Sequence, residues 1–467
     1  MALGRPFKGL FQRKTERRAP SPAPTTAAGV NLSEIFQQTA RKPDSYTSSK
    51  LPRFHSTAGD QLNTARSDRF AQVRQRLRNA FTPSQPVTDR RYFAGRKDVL
   101  SQMIAALEDQ RRHLVLYGER GIGKTSLLHI LADAAREARY IVVYWSCGAA
   151  SNFDETFRAA AAEIPLLFHS GYSPTTSEAE TGCTLADLLP ERVSPRIFGE
   201  LCAKITGTRV LIILDEFDRC ESSEFRREIA ELIKILSDRS VRVELVIAGV
   251  AADLAELVEH IPSIRRNIQT FKVPLMSADE ILEMVESGTQ TTGVSFEREA
   301  QAYVVSAACG SPYLASLICH HAALAAIDNR RAEVNSEDVA TGVAHAAAEL
   351  RDRVPRTLLN RVDRLIDKGA GRPLAILARS ALAWGGEFTD ARIAEAAATG
   401  AEAALCKRLN HEIAADGDLI TIQEFNGERR YRFAEEGLPA YLWLLHAAEG
   451  DPEQRPLAGL RPTATVG

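Results

Sequence analysis

Apolar positions follow three different rhythms along the chain. Between residues 92 and 275, short unbroken apolar runs alternate with helical stretches. His113-Leu114-Val115-Leu116-Tyr117, Tyr140-Ile141-Val142-Val143-Tyr144-Trp145, Val210-Leu211-Ile212-Ile213-Leu214, Val243–Ala248 and Phe271–Leu275 each read as a buried strand, and Thr125–Arg139 as a helix. Strands that are apolar on both faces and separated by helices predict an α/β fold with a parallel sheet covered on both sides. From 277 to 350 the period is that of helices only, at Ala278–Ser287, Glu297–Ala308, Pro312–Ile327 and Ser336–Glu349. Two of these starts carry cap signals: Ser277 with Glu280 three residues on, and Ser336 followed by Glu337 and Asp338. After Pro355 come helices at Leu358–Lys368, Pro373–Trp384, Asp390–Ala398 and Glu402–Ala415. The period then falls to two in Leu419–Gln423 and Arg430–Phe433, around the turn signal Phe425-Asn426-Gly427, before a last helix at Pro439–Ala448.

At 467 residues the chain is too long for one ordinary core. The rhythms divide it into a basic, largely unstructured arm at 1–89, an α/β core at 90–275, a helical lid at 276–352, a unit at 353–450 and a loose tail at 451–467. Helices followed by one β-hairpin make the 353–450 unit resemble a winged helix. The Ala19–Thr26 stretch reads as linker, whereas Phe70, Val73, Leu77 and Phe81 share one face of a short helix over Arg69–Phe81. Between Phe168 and Pro195 the polar composition predicts an insertion loop with one short helix.

Charge changes the picture of the arm. Residues 1–90 hold 16 Lys/Arg against 6 Asp/Glu, a net of +10, so the overall -2 conceals a body at -12. Such an arm suits nucleic acid, an anionic membrane surface or, most simply, solvent. It lacks the continuous apolar region of a secretory signal, and no stretch approaches the ~20 apolar residues of a membrane span. Seven cysteines without a C-x-x-C pair argue against a disulfide framework or a zinc site and fit a cytoplasmic location.

The candidate chemistry begins at Gly118-Glu119-Arg120-Gly121-Ile122-Gly123-Lys124-Thr125, which matches G-x-x-x-x-G-K-[ST] between a predicted strand and a predicted helix. In this pattern the glycines let backbone N–H groups converge on phosphates, the Lys reaches the β- and γ-phosphates, and the hydroxyl holds Mg²⁺. Lys124 and Thr125 take those roles here, with Ser126 completing the cradle. Leu211-Ile212-Ile213-Leu214 then delivers Asp215 and Glu216 at a strand's C-terminal end, where ligands of open α/β sheets bind. Asp215 is the expected Mg²⁺ acid and Glu216 the expected orienter of attacking water. Asp218 reads as structural or partner-facing rather than catalytic.

The pairing of Gly118–Thr125 with Asp215-Glu216 resembles the AAA+ and STAND branches of the P-loop ATPases. Phe93-Ala94-Gly95-Arg96 looks like the entry segment of origin-recognition-type members, and the resemblance places Phe93 near the adenine. It implies ATP as the nucleotide. Ser263-Ile264-Arg265-Arg266 stands where the family carries an arginine finger; Arg265 and Arg266 are equal candidates, against an ordinary basic helix end. The chain departs from the family at Ile247-Ala248-Gly249-Val250, which lacks a polar sensor, and in the lid, where Gly310-Ser311-Pro312-Tyr313 puts a Tyr in place of a sensor arginine. That segment resembles the G-x-P motif of STAND proteins, which would pack Pro312 on the base; a helix-start proline is the competing reading.

These features give three expectations. The first is an ATP-binding, slowly hydrolysing, Mg²⁺-dependent conformational switch, with a protein partner and homo-oligomers among its expected associations. The second is a DNA-linked ATPase of replication, transposition or repair, and the third a nucleotide-stabilised scaffold. DNA binding through the C-terminal unit rests on Lys407, Arg408, Arg429, Arg430 and Arg432, but residues 356–450 carry 12 Lys/Arg against 14 Asp/Glu. A phosphate-binding face should be basic.

Overall fold

The computed structural model describes residues 69–172, 182–239, 241–249, 262–425 and 428–449, all within one compact unit spanning Ala58–Gly467. Expectations for the basic arm up to 68, the centre of the insertion loop, Val250, the Asn426-Gly427 turn and the tail from 451 lie outside the described residues.

The chain enters through α1 (Arg69–Ala80) and a 3₁₀ turn at Arg90–Tyr92. The core follows as α2 (Lys97–Glu108), β1 (His113–Tyr117), α3 (Lys124–Glu137), β2 (Ile141–Ser146), α4 (Phe153–Ala162), α5 (Pro195–Cys202), β3 (Val210–Asp215), α6 (Ser223–Asp238), β4 (Val243–Gly249) and β5 (Ile268–Lys272). The five strands form one parallel sheet in the order β2-β3-β4-β1-β5. Alternation along each strand sorts the side chains between two layers. Leu114, Leu116, Leu211, Ile213 and Val246 join the cluster that includes Met103, Leu127 and Leu131 of α2 and α3. Val115, Val143, Ile212, Leu214 and Leu245 join Phe157, Phe198 and Ile229 of α4, α5 and α6. Each such side chain contributes about 1.5–3 kcal/mol on burial, which is why unbroken apolar runs identify these strands.

The fifth strand begins earlier than the apolar run Phe271–Leu275 predicts. Ile268 already pairs with His113, and pairing ends before Pro274, which has no N–H to donate. Among the described residues of the Phe168–Pro195 segment, Leu185–Leu188 forms a 3₁₀ turn, and another at Leu166–Phe168 leads into it.

The lid comprises α7 (Ala278–Thr292), β6 (Ser295–Phe296), α8 (Arg298–Ala308), α9 (Pro312–Asp328), β7 (Glu333–Val334) and α10 (Ser336–Arg351). It is not helical throughout, because β6 and β7 pair in parallel. The cap of α10 is Asn335 rather than Ser336. The Asn335 side-chain oxygen accepts the Asp338 N–H at 3.0 Å, and the Asp338 carboxylate accepts the Asn335 N–H at 3.0 Å, so the box closes one residue earlier. Phe81, following α1, docks that helix onto the lid: a Cβ at Gly288 would lie 2.1 Å from the Phe81 ring.

The C-terminal unit contains α11 (Arg356–Asp367), α12 (Gly371–Ala383), β8 (Glu387–Phe388), α13 (Asp390–Ala396), α14 (Gly400–Asp416), β9 (Ile420–Phe425), β10 (Glu428–Phe433) and α15 (Leu438–Glu449). Its antiparallel sheet has the order β8-β10-β9. β8 is too short to leave a period in the sequence. One continuous apolar core joins this unit to the lid. Buried hydrogen bonds cross between them: Tyr303 Oη donates to the Ala447 carbonyl at 2.8 Å, and Trp443 Nε1 to the Ala307 carbonyl at 2.9 Å.

Candidate nucleotide-binding site

The Gly118–Thr125 loop leaves β1 and opens α3 at the C-terminal edge of the sheet. Gly123 caps the helix with φ of 90°, in the left-handed region that favours glycine. A Cβ there would come within 2.7 Å of Arg96 Nη1 and 3.7 Å of Pro312 Cγ. The cradle is therefore shaped by two chain-distant side chains as well as by its own backbone. Lys124 Nζ closes the loop on itself, donating to the Gly118 carbonyl at 2.7 Å and the Glu119 carbonyl at 2.9 Å. Burial lowers the Lys124 pKa, with Asp218, Asp215 and Glu119 opposing the shift. Ser126 Oγ accepts the Val87 N–H at 3.0 Å, which ties the entry segment to α3.

Arg96 is the residue that motif reading passes over. It is 6% exposed, takes a left-handed φ of 56° as the N-cap of α2, and donates from Nη2 to the Pro274 carbonyl at 3.3 Å. Burial pulls its pKa down to about 10 despite Glu280, whose carboxylate accepts the Arg96 N–H at 2.5 Å. The sequence marks it only as the last residue of the Phe93–Arg96 entry segment; its orientation against Gly123 depends on packing. Phe93 of the same segment is half-buried against the α2–α3 core. Pro312 opens α9 at its first turn, while the neighbouring Tyr313 lies over Gly121 and accepts a 2.7 Å hydrogen bond from Arg353.

The acids lie at the end of β3, separated from β1 in the sheet by β4. Asp215 is 3% exposed. Its Oδ1 accepts the Glu216 N–H at 2.8 Å, and its Oδ2 accepts the Tyr144 hydroxyl at 2.7 Å. Burial and then Asp215 raise the Tyr144 pKa, so this phenol remains a donor. The Tyr144 ring stacks on His129 of α3 at 4.6 Å and 4°. Glu216 has φ of 53°, accepts from Ser146 Oγ at 2.9 Å and pairs with Arg219 at 3.1 Å. Neither Tyr144 nor Ser146 carries a sequence signal; the β2–β3 register supplies both, setting Tyr144 beside Ile213 and Ser146 beside Asp215.

Two cradle residues reach beyond the core. Glu119 packs on the Gly385-Gly386 turn, where a Cβ on Gly386 would lie 3.0 Å from its carboxylate. Burial raises its pKa, with Arg432 opposing. Arg120 lies 3.5 Å from Glu436 and 3.7 Å from Asp218, which gives Asp218 its structural partner. Arg265 and Arg266 lie in the 3₁₀ turn Pro262–Asn267, both exposed and without an ion pair among the described residues. The end of β4, Ile247-Ala248-Gly249, offers no polar side chain.

The donor set suits a Mg²⁺–nucleoside triphosphate. A glycine-bounded cradle holds the half-buried Lys124 ammonium, the Thr125 hydroxyl follows it, and the buried Asp215 carboxylate faces the same edge.

Three solved structures resemble the chain at low identity. Cdc6p from Pyrobaculum aerophilum is 16% identical over 79% of this chain and 97% of that one, with a TM-score of 0.41. The ORC2 protein of Aeropyrum pernix, solved with ADPNP and ADP, is 16% identical over 79% and 97%, at 0.44. The RuvB branch-migration motor of Thermotoga maritima is 14% identical over 75% and 95%, at 0.41. No curated protein matches the chain. The model of the family Novel STAND NTPase 1 matches residues 79–366, which take in α2 to α10, the Gly118–Thr125 cradle and both acids. The chain belongs to the Novel STAND NTPase 1 family of P-loop NTPases.

Proposed function

We propose that the protein is a slow, Mg²⁺-dependent ATPase that works as a nucleotide-controlled switch. The observation that carries this reading is the contact of Glu119 and Arg120 with the C-terminal unit. The loop that cradles phosphates and the unit that would move share side-chain contacts, so occupancy of one biases the position of the other. Lys124 would exchange its two loop carbonyls for phosphate oxygens, releasing the closed loop. Thr125 and Asp215 would hold Mg²⁺, which offsets charge on the phosphates. Tyr144 fixes the Asp215 carboxylate. Glu216, held by Ser146 and Arg219, would have to leave Arg219 before orienting water, which fits slow turnover. The apolar end of β4 and Tyr313 in the lid fit it as well. Pro312 and Phe93 would line the base, and Arg265 or Arg266 would act only from a neighbouring copy.

The C-terminal unit has the α12-β8-α13-α14-β9-β10 order of a winged helix, and we assign it that fold. Its arginines argue against DNA as the primary partner. Arg408 lies 3.9 Å from Glu412, Arg429 3.9 Å from Glu424, Arg430 3.4 Å from Glu387 and Arg432 3.5 Å from Glu436. Four of the five cations invoked for DNA therefore already face a carboxylate.

The test is ATP turnover of the wild type, Lys124→Ala and Glu216→Gln, with and without duplex DNA, alongside hydrogen exchange across the Gly385-Gly386 turn. The switch predicts loss of turnover in both variants and ATP-dependent exchange at the turn only where Lys124 is intact. Turnover untouched by either substitution would sink the site; strong stimulation by DNA would favour the second reading.

A further inference from the structure

At the edge of the sheet opposite the nucleotide cradle, a second cleft of about 420 Å³ opens between the C-terminal ends of α2 and α3 and the starts of β2, β3 and β4. Its walls include Glu108, Arg139, Tyr140, Thr208, Arg209 and Arg242. The sheet itself assembles them. The Arg209 carbonyl accepts the Ile141 N–H at 2.9 Å, and the Arg242 carbonyl accepts the Val210 N–H at 2.9 Å, so Tyr140, Arg209 and Arg242 begin three adjacent strands. Arg209 is held in place: Nη1 donates to Tyr140 Oη at 2.8 Å and its guanidinium lies 5.7 Å from the centre of the same ring.

The charges of this cluster are not paired off. Many arginines elsewhere lie within 4 Å of a carboxylate, yet Arg111, Arg139, Arg209 and Arg242 make no ion pair among the described residues. Beside Glu108, a second compensating acid is Glu244 on β4, which is 2% exposed and has an Oε2 without a hydrogen-bond partner. Burial holds the Glu244 carboxyl at about 7, even with Arg209, Arg111 and Arg242 opposing, so it neutralises them only in part. The negative ends of α2 and α3 and the Glu108 carboxylate subtract further. Weighed at roughly half a charge per helix end, the three guanidinium groups that line the cleft, together with Arg111 acting on Glu244 from outside the lining, still leave the region positive by about one charge.

From this geometry we propose that the cleft binds a small phosphate-bearing anion, at a site separate from the nucleotide cradle. Guanidinium forks pair with phosphate oxygens through two parallel N–H donors, and a cleft of this volume admits a ligand the size of a short polyphosphate. The two anion sites lie at opposite ends of the same strands, about 15–20 Å apart at the rise of a parallel strand. Since β3 and β4 run from this cleft to the Asp215 edge, the second anion has a rigid path to the first site.

The probe is inorganic triphosphate, titrated by calorimetry into the full chain carrying Lys124→Ala, which removes the cradle's own phosphate ligand. One bound triphosphate per chain is expected. Arg139→Asn with Arg242→Gln, both exposed positions, should weaken it at least tenfold while leaving the thermal unfolding temperature in place. Glu244→Gln should tighten it severalfold by removing the buried negative charge. Absence of binding, or binding indifferent to the double substitution, overturns the proposal. Duplex DNA that binds more tightly than triphosphate, and is lost in the double variant, would also overturn it by assigning the cleft to a macromolecule.

Discussion

The two ends of the parallel sheet hold positive charge in opposite ways. At the C-terminal end, one short segment does most of the work: glycines expose backbone N–H groups, a single Lys124 supplies charge, and the N-terminus of α3 adds its dipole. At the N-terminal end, the charge comes from side chains on four chain-distant segments, set against helix ends of the unfavourable sign. A contiguous backbone site survives as a motif; a side-chain site exists only once the strands are in register. The contrast extends to their acids. Asp215 is buried with both oxygens accepting hydrogen bonds, whereas Glu244 is buried with one oxygen left unpartnered.

The largest effect should come from the motif-encoded end. Lys124→Ala is expected to weaken ATP binding about a thousandfold, on the order of 4 kcal/mol, by equilibrium dialysis with labelled nucleotide. A tenfold loss or less would mean that the loop carbonyls, not phosphates, are the true partners of this ammonium.

At the other end the expected effect is on stability and depends on pH. The Glu244 carboxyl is raised from 4.5 to about 7 in the fold. Below pH 4.5 both folded and unfolded chains keep the proton, and the group is neutral to stability. As pH rises from 4.5 to 7 the unfolded chain ionises first, so stability falls; above 7 the loss levels off at roughly 3 kcal/mol. Glu244→Gln should remove this slope, making the variant more stable than the wild type at pH 8 and much closer to it at pH 5, as read from urea unfolding. Equal differences at the two pH values would show that the arginines already hold the carboxylate ionised.

Gly123→Ala would place a Cβ 2.7 Å from Arg96 Nη1 at a φ of 90°. Strain of roughly 1–3 kcal/mol is expected. It should appear as loss of ATP affinity, and Arg96→Ala in the same chain should restore part of it by vacating the space. Failure of that rescue would locate the strain in the backbone alone. The smallest effect is at Tyr144→Phe, which removes one hydrogen bond to Asp215, worth about 1–2 kcal/mol. Mg²⁺ titration of nucleotide binding should shift severalfold, with metal-free nucleotide affinity unchanged. A change in the latter instead would make Tyr144 a packing residue.

The sheet, its two-sided burial and the cradle were legible because each is a local pattern. Apolar runs such as Val210–Leu214 record burial on both faces, and Gly118–Thr125 with Asp215-Glu216 records chemistry that one loop and one strand end can deliver. Less of the lid and C-terminal unit could be read. The pairs β6–β7 and β8–β10 are too short to produce a period, and the α10 cap shifted by one residue because both Asn335 and Ser336 can cap. The single core joining lid and C-terminal unit left no mark at the 352/353 boundary, since an apolar face does not say what it meets.

The sequence by itself determined the α/β core and the family motif at Gly118–Thr125, because those depend on residues adjacent in the chain. Only the tertiary structure placed Arg96 against Gly123, Tyr144 on Asp215, Glu119 on the Gly385-Gly386 turn and three arginines around one cleft. In each case the partners are separated by tens to hundreds of residues, so strand order and register, not local pattern, decide the contact.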